Sequence, residues 1–185
     1  MGVPKKDKLL LFMGRVAEEK NIGFLLEIFE ELLIKKQDMK FLIAGEGAAK
    51  RKLERLVEER HLSKYVLFAG YLTPEDWRDC YAGAYLFIFA SVTETQGLVI
   101  SEAMAAGTPV VAVGEMGVKD VMASGKGGIM TRLDKKEFSE AVWRMLTDES
   151  FYAQKKVEAR PEAENWSSPT MGQKMITAYE RILRT

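Results

Sequence analysis

Residues 8–13 (KLLLFM) form a short, almost continuous apolar run that ends at Gly14. A run of this length and composition is typical of a strand that is buried on both faces of a parallel sheet. Comparable runs recur along the chain at 39–44 (MKFLIA), 66–69 (VLFA), 85–90 (YLFIFA), 110–113 (VVAV) and, in a shorter form, 128–130 (GIM). The pattern therefore predicts about six strands.

The segments between these runs carry apolar residues at helical spacing. Phe24, Ile28 and Leu32 share one helical face after the first run, and Leu53 and Val57 share another after the second. Alternating strands and helices are joined by right-handed crossovers, which place helices over both faces of a parallel sheet. We therefore predict an α/β class fold, a doubly wound, Rossmann-like parallel sheet with helices on both faces.

The composition predicts one domain that spans the whole chain, 1–185. The 185 residues are 47% hydrophobic, which is enough for a sizeable core, and 27 basic residues balance 27 acidic ones. This balance gives no sequence-wide attraction for nucleic acid, so no nucleic-acid partner is predicted. The first seven residues (MGVPKKD) are predicted to be a loose, charged lead-in, and Pro161 and Pro169 are predicted to interrupt a helical tail.

Cysteine and histidine are too few for several kinds of chemistry. Cys80 is the only cysteine and His61 the only histidine, so no metal site built from several thiolates or imidazoles is predicted. We interpret His61 as a helix-end residue and Cys80 as a small buried one. The apolar runs fall short of the ~20 residues of a membrane-spanning helix. No secretory signal is recognised at the start, so a reducing, cytoplasmic location is predicted.

Basic residues follow the first predicted strand, at the edge where open parallel sheets bind their ligands. Arg15 comes directly after Gly14, and Lys20 follows five positions later. A guanidinium fork and a compact ammonium together suit the oxygens of a diphosphate. The alternative is that both are solvated surface charges, paired with Glu18 and Glu19. The spacing alone leaves both interpretations open.

The segment 91–111 (SVTETQGLVISEAMAAGTPVV) follows the fourth predicted strand and carries two acidic residues. Glu94 and Glu102 lie eight positions apart (102 − 94 = 8) and can face one site if a helix begins near Gln96. A carboxylate such as that of Glu102 can accept both hydroxyls of a ribose or another vicinal diol. The alternative is plain helix chemistry, in which both glutamates simply favour the helix.

The start of this predicted helix would also suit an anion. The backbone amides of Gln96, Gly97 and Leu98 would be first-turn donors without intrahelical partners, at the positive end of the helix dipole. Gly97 would allow a ligand to approach the backbone closely.

Glycines follow the second and fifth predicted strands. Gly45 and Gly47 match a fragment of the dinucleotide fingerprint, but its third glycine and the acidic residue about 20 positions further on are missing, which disfavours an NAD site. Gly114 and Gly117 either bring the backbone close to a ligand or form a turn that needs a positive φ, and we favour the turn.

Four motifs in register give the chain a family resemblance. They are Gly-Arg-x4-Lys (GRVAEEK), Glu-x7-Glu (ETQGLVISEAMAAGTPVVA), the Gly-Glu-Gly turn, and the Phe-Ala-Gly-Tyr turn that contains Gly70 and Tyr71. From Leu9 to about Tyr179 the chain resembles the C-terminal, donor-binding half of the family 4 glycosyltransferases (glycosyl transferases group 1), which have the GT-B fold. The resemblance implies a retaining enzyme that transfers a hexosyl group from a nucleotide-diphosphate sugar, a UDP or GDP sugar, to an acceptor hydroxyl. It also implies that no metal or other cofactor is required.

The resemblance assigns roles to individual residues. Arg15 and Lys20 would hold the diphosphate, and Glu102 would hold the ribose. Glu94, the predicted catalytic residue, would contact the transferred sugar or support the reacting centre. The predicted donor-binding residues are Gly14, Arg15, Lys20, Gly45, Gly70, Tyr71, Gln96, Gly97, Leu98 and Glu102.

The chain departs from the family pattern in three places. Gln96 stands where many members have an aromatic residue, and 114–120 (GEMGVKD) matches the usual Gly-Gly-x-x-Glu loop only loosely. The resemblance further implies that the family's acceptor-binding N-terminal half lies outside this chain, so the domain alone is expected to bind donor weakly and not to turn over. That half is the implied partner, and the resemblance leaves open a peripheral association of the whole enzyme with a membrane.

Two other functions fit the same scaffold. A non-catalytic nucleotide-binding or interaction module is the alternative, since a fold does not determine a function. A nucleotide-sugar epimerase is disfavoured, because the Glu-x7-Glu motif matches transferases.

Overall fold

A computed structural model describes residues 7–184 of the chain, so residues 1–6 of the predicted lead-in lie outside the described residues. The strands are β1 (Lys8–Met13), β2 (Met39–Ala44), β3 (Val66–Gly70), β4 (Leu86–Phe89), β5 (Val110–Val113) and β6 (Gly128–Thr131). The helices are α1 (Ile22–Lys35), α2 (Lys50–Glu59), α3 (Pro74–Gly83), α4 (Leu98–Ala105), α5 (Met116–Val121), α6 (Lys135–Thr147), α7 (Glu149–Glu164) and α8 (Ser168–Leu183). A short 3-10 turn, Glu18–Lys20, precedes α1.

The strands form one six-stranded sheet in the order β3-β2-β1-β4-β5-β6. Every neighbouring pair is parallel, and helices cover both faces. The predicted fold class is confirmed, and each predicted strand is present with bounds that differ by at most one residue at either end. The chain moves outward from β1 to β3 and then returns to the other side of β1, so the strand order reverses between β1 and β4.

The core lies around these two central strands. Phe12 of β1 stacks on Phe89 of β4 with the ring centroids 5.9 Å apart. On the side of β2, the ring of Phe29 from α1 lies 5.5 Å from that of Phe41. All four side chains are buried. Full burial of such a side chain contributes roughly 1.5–3 kcal/mol, so the continuous apolar runs of the sequence become the central strands.

The helical tail differs from its prediction at one proline. Pro169 lies in the first turn of α8, after the Ser167 cap, where a missing N–H costs nothing. Pro161 lies inside α7 and does not interrupt it. The last turn of α7 is held instead by its packing, since Ala159 and Ala163 on either side of Pro161 are buried, and α7 packs along α4.

The single histidine and the single cysteine have the environments that the sequence predicted. His61 follows the end of α2 with φ 55°, in the left-handed region, so it is a helix-end residue. Cys80 is a free, buried thiol on α3, and burial raises its pKa. Among residues 7–184, no helix combines the length and the apolar character that crossing a bilayer requires.

Candidate functional site

The point where the strand order reverses brings two predicted site residues into contact. Lys20 follows β1 and Glu94 follows β4, and the two strands are neighbours in the sheet. The Lys20 ammonium donates to Glu94 Oε2 over 2.9 Å, and the side chains are only 13% and 20% exposed. Open parallel sheets bind ligands at this position, at the carboxyl ends of the strands beside the reversal. The contact therefore marks the candidate site.

Lys20 reaches Glu94 because the chain turns sharply after β1. The 3-10 turn ends at Asn21, which adopts a left-handed conformation with φ 52°. The Asn21 side chain donates to the carbonyl of Ala90, at the end of β4, over 3.0 Å. This bond ties the segment after β1 to the segment after β4 and holds Lys20 over the reversal point.

The helix that carries Glu102 begins later than predicted. It starts at Leu98 rather than near Gln96, with Gly97 as its cap at φ 67°. The first intrahelical donors are the amides of Ile100 and Ser101, which bond the Gly97 carbonyl. The Leu98 amide comes before them, among the first-turn amides of the helix. Glu102 is consequently four positions after the first residue of the helix (102 − 98 = 4), about one turn, rather than the six positions of a start at Gln96 (102 − 96 = 6).

The loop before this helix is fixed by the loop after β5. The Gly117 amide donates to the Glu94 carbonyl over 2.9 Å. A Cβ on Gly117 would lie 2.4 Å from the carbonyl oxygen of Thr95, so only glycine allows this approach. The predicted positive-φ turn at Gly114 and Gly117 is wrong, because neither residue has a positive φ. Both glycines instead allow close packing, at Gly114 against Met130.

Glu102 has a buried partner that the sequence did not single out. The Tyr81 hydroxyl of α3 donates to Glu102 Oε2 over 3.1 Å. Burial raises the pKa of the Glu102 carboxyl, the Tyr81 bond lowers it, and the charge of Glu94 raises it further. Burial and the neighbouring Glu102 charge raise the pKa of Tyr81 well above its usual range. The phenol therefore stays protonated and the carboxylate is poorly solvated.

Arg15 is not part of the Lys20–Glu94 pair. Its guanidinium is 70% exposed and bonds Glu19 over 2.6 Å, within one turn of chain. It borders a groove of about 490 Å³ at the carboxyl ends of β1, β2 and β3. The groove is lined by Met13, Gly14, Arg15, Ala44, Gly45, Glu46, Gly47, Gly70, Tyr71, Leu72, Pro74 and Trp77.

The groove and the ion pair divide the predicted residues between them. Gly14, Arg15, Gly45, Gly70 and Tyr71 border the groove, whose lining does not include the other predicted residues. Of those other residues, Lys20 lies on the 3-10 turn. The loop after β4 carries Glu94, Gln96 and Gly97, and α4 carries Leu98 and Glu102.

The glycines after β2 pack against the protein itself. A Cβ on Gly45 would lie 1.9 Å from the carbonyl oxygen of Gly14, and one on Gly47 would lie 2.2 Å from that of Val16. The Val16 amide also donates to the Glu46 carbonyl over 2.9 Å. The turns after β1 and β2 thus interlock, and they form the floor of the groove without a dinucleotide fingerprint.

Sequence reasoning missed the apolar wall of this groove. Leu72 and Pro74 precede or begin α3, and Trp77 lies on its first turns. Trp77 and Tyr81 stand four positions apart, and their ring centroids are 5.7 Å apart. Four-residue spacing of aromatic residues just after the Phe-Ala-Gly-Tyr turn is the signal that could have indicated both the wall and the partner of Glu102.

The donor set of the site consists of cations, carboxylates and amides. Within residues 7–184, no group of three or more His, Cys, Asp or Glu side chains is placed to hold a metal ion. Two positive side chains, Arg15 and Lys20, stand at the carboxyl edge of the sheet together with the start of α4. Such an arrangement can bind an anion with hydroxyl groups beside it.

Fold and site together define a Rossmann-like α/β domain of the kind found in GT-B glycosyltransferase structures. The chain belongs to the family of glycosyl transferases group 1, whose sequence model matches residues 1–165. One relative is the α-D-kanosaminyltransferase of Streptomyces kanamyceticus, 30% identical over 176 residues, which are 94% of this chain and 46% of that protein.

Solved structures share the fold. Sucrose-phosphate synthase from Thermosynechococcus elongatus has a TM-score of 0.85 at 25% identity, over 98% of this chain and 47% of that one. A variant of TarM from S. aureus, in complex with fondaparinux, α-GlcNAc-glycerol and UDP, has a TM-score of 0.80 at 25% identity, over 96% of this chain and 37% of that one. The chain spans between 26% and 46% of the length of the first curated relatives it matches.

Proposed function

We propose that the chain is the donor-binding domain of a retaining, family 4 glycosyltransferase. The donor would be a UDP or GDP sugar, and a hexosyl group would pass to an acceptor hydroxyl. The observation that carries the proposal is the contact between Lys20 and Glu94, at the reversal of strand order. Membership of the family and the UDP bound by a TarM variant support it.

The nucleoside would occupy the groove. Its apolar wall of Leu72, Pro74 and Trp77 suits the flat face of a base, and the backbone at Gly70 and Tyr71 would border the base edge. The ribose would then point towards α4, where a carboxylate can accept two hydroxyls. We assign this role to Glu102, as the resemblance implies.

The diphosphate would lie between the groove and the ion pair. The Arg15 guanidinium can bind two of its oxygens side by side. The Lys20 ammonium has three donors, one of which is used by Glu94, so it can bind a phosphate oxygen while it keeps that contact. The amides of Gln96, Gly97 and Leu98 would add neutral donors at the start of α4.

These groups would act mainly on the transition state. When the bond between the anomeric carbon and the diphosphate oxygen breaks, negative charge grows on the leaving group, and fixed cations and amides stabilise it. The acceptor oxygen bonds the anomeric carbon on the same face, and its proton passes to a diphosphate oxygen, so the configuration is retained. Glu94 would contact the sugar beside the reacting carbon. Arg15 and Lys20 would supply the positive charge that a metal supplies elsewhere.

We propose that transfer requires a second, acceptor-binding half. The chain spans less than half of the kanosaminyltransferase and of the sucrose-phosphate synthase chain. The domain by itself would bind donor weakly and would not turn over. We place the activity in the cytoplasm, as the single, buried thiol of Cys80 is usual for a reducing compartment.

Calorimetric or NMR titration with UDP, GDP and their glucose conjugates tests the proposal. We expect measurable binding of at least one of them and a loss of affinity of about tenfold or more in Lys20→Ala, since a charge-assisted bond is removed. The matched control is Lys52→Ala, because Lys52 pairs with Glu18 at 2.9 Å on the exposed surface. Absence of binding at millimolar nucleotide would contradict the proposal.

The alternative function, a non-catalytic nucleotide-binding module, can be distinguished from the enzyme in a second assay. A chimera can join this domain to the acceptor-binding half of a relative and be assayed for sugar transfer. Nucleotide binding without transfer in several such chimeras would favour the non-catalytic module, whereas transfer that depends on Glu94 supports the enzyme.

A further inference from the structure

Tyr81 is a buried phenol held rigidly next to the candidate site. The side chain is 3% exposed, and its ring lies 5.7 Å from that of Trp77 and 5.5 Å from that of Phe87. Its backbone is fixed as well, because the Thr108 hydroxyl donates to the Tyr81 carbonyl over 2.6 Å. The hydroxyl at the end of this ring therefore has a defined position.

The hydroxyl has one acceptor, the Glu102 carboxylate, at 3.1 Å from Oε2. Since burial keeps the phenol protonated, this bond always runs from Tyr81 to Glu102. Within the described part of the chain, Glu102 forms no ion pair with any Lys or Arg, and Tyr81 is the only donor to its side chain. A poorly solvated carboxylate without a cation is costly to the fold.

The acceptor positions that remain on the Glu102 carboxylate indicate what kind of ligand it can bind. An ionised carboxyl group offers about four acceptor positions on two oxygens, and Tyr81 uses one of them. The bond to Oε2 also fixes the plane of the group, which would otherwise rotate about its last side-chain torsion. Since Tyr81 occupies one position on Oε2, the remaining acceptor positions can accept hydroxyl protons.

We propose that Tyr81 is a positioning residue which orients the Glu102 carboxylate so that it recognises the two adjacent hydroxyls of the donor ribose. The inference rests on the proposed function, because it takes the ligand to be a ribonucleoside diphosphate. Tyr81 is 3% exposed and does not line the groove, so its hydroxyl acts on the ligand through Glu102. Its contribution therefore belongs to ribose recognition rather than to phosphate binding.

Comparison of a nucleotide with its analogue lacking both ribose hydroxyls tests this inference. The probe is UDP or GDP, whichever binds the wild-type domain more tightly, together with its 2′,3′-dideoxy form. Sites built to bond a hydroxyl discriminate strongly against analogues without it. We expect the wild-type domain to prefer the ribonucleotide by about tenfold or more, as for hydrogen bonds to a charged group.

Tyr81→Phe removes the hydroxyl and keeps the ring. We expect its affinity for the ribonucleotide to fall about three- to tenfold, whereas its affinity for the dideoxy form changes less than about twofold. The control is Tyr152→Phe, because the Tyr152 hydroxyl donates to a backbone carbonyl, that of Tyr85, over 2.9 Å at the opposite end of the sheet. That variant should leave the preference unchanged.

The outcomes separate this inference from the proposed function. A wild-type preference that Tyr81→Phe leaves intact, or an equal loss of affinity for both nucleotides, overturns the positioning role alone. If the wild-type domain binds neither nucleotide, the proposed function fails and the inference fails with it. If it binds both nucleotides equally, donor binding stands, but ribose recognition by Glu102 fails and the positioning role of Tyr81 fails with it.

A second measurement does not depend on the folding of a variant. In the wild-type domain, the NMR signal of the Tyr81 hydroxyl proton should shift more with the ribonucleotide than with the dideoxy form, because ribose hydroxyls compete for the same carboxylate. Equal shifts would overturn the positioning role.

Discussion

Lys20 Nζ lies 2.9 Å from Glu94 Oε2, although the residues are 74 positions apart in the chain. Both side chains are largely buried at the reversal point of the sheet. The pair joins the end of β1 to the end of β4, so one contact couples the stability of the domain to the geometry of its candidate site.

Lys20→Gln should destabilise the domain through its partner. The substitution leaves the largely buried Glu94 side chain without its cationic partner, and we expect the free energy of unfolding to fall by about 1–3 kcal/mol. The double variant Lys20→Gln/Glu94→Gln should lose less than the sum of the two single variants. Denaturant unfolding of the four proteins measures this coupling, and strictly additive losses would show that the pair contributes no stability.

Glu19→Gln should strengthen nucleotide binding. The Arg15 guanidinium bonds Glu19 over 2.6 Å in the ligand-free domain, so a diphosphate must compete with that carboxylate. We expect UDP affinity to rise about two- to fivefold, the range of an exposed ion pair. Glu18→Gln is the control for net charge, since Glu18 pairs with Lys52 instead. Equal gains in both variants would assign the effect to net charge.

Glu102→Gln should stabilise the domain at neutral pH while it weakens UDP binding. Burial raises the pKa of Glu102, so the folded state binds its proton more tightly than the unfolded state. Above the raised pKa the ionised carboxyl therefore lowers stability, and this penalty is relieved as the pH falls through that pKa.

The variant should melt roughly 1–3 °C higher at pH 7, and its advantage should shrink as the pH falls towards 4. Calorimetric melting at several pH values measures the difference in melting temperature at pH 7 and its change with pH. Glu140→Gln, at a largely exposed carboxyl, should show no such trend. A variant that melts lower than the wild type at pH 7 would contradict the expected sign.

Gly117→Ala should damage both the fold and the site. Its Cβ would lie 2.4 Å from the Thr95 carbonyl oxygen, which is backbone and cannot swing away. We expect a loss of about 1–3 kcal/mol in the free energy of unfolding, as for overpacking, together with weaker UDP binding because the Glu94 loop moves. Gly23→Ala on α1 is the control, because nothing lies within 4 Å of its added Cβ.

Gly23→Ala should leave UDP binding unchanged and stabilise the helix by about 0.5–1 kcal/mol. If Gly117→Ala has the same free energy of unfolding and the same UDP affinity as the wild type, the close approach of the two loops is not required.

The sequence predicted the strands well because burial on both faces of a sheet requires a continuous apolar run. The runs at 8–13 and 110–113 have the observed bounds of β1 and β5. The start of α4 was displaced by two residues, since the left-handed cap at Gly97 depends on packing against Gly117. Pro161 was misjudged for a similar reason, because tertiary packing holds the last turn of α7.

The candidate site was predicted as a set of residues but not as an arrangement. The motifs singled out Arg15, Lys20 and Glu94, yet the structure places Arg15 beside the groove and the other two in contact. Trp77 and Tyr81 went unassigned, because aromatic residues on an amphipathic helix usually indicate core.

The sequence by itself determined the alternation of strands and helices, since apolar periodicity records which faces must be buried. It also determined which chemical groups follow each strand. Only the tertiary structure decided that Lys20 meets Glu94 and that Tyr81 bonds Glu102. The physical reason is that these contacts depend on the order of the strands in the sheet and on the packing of α3 against α4, which no local pattern of side chains encodes.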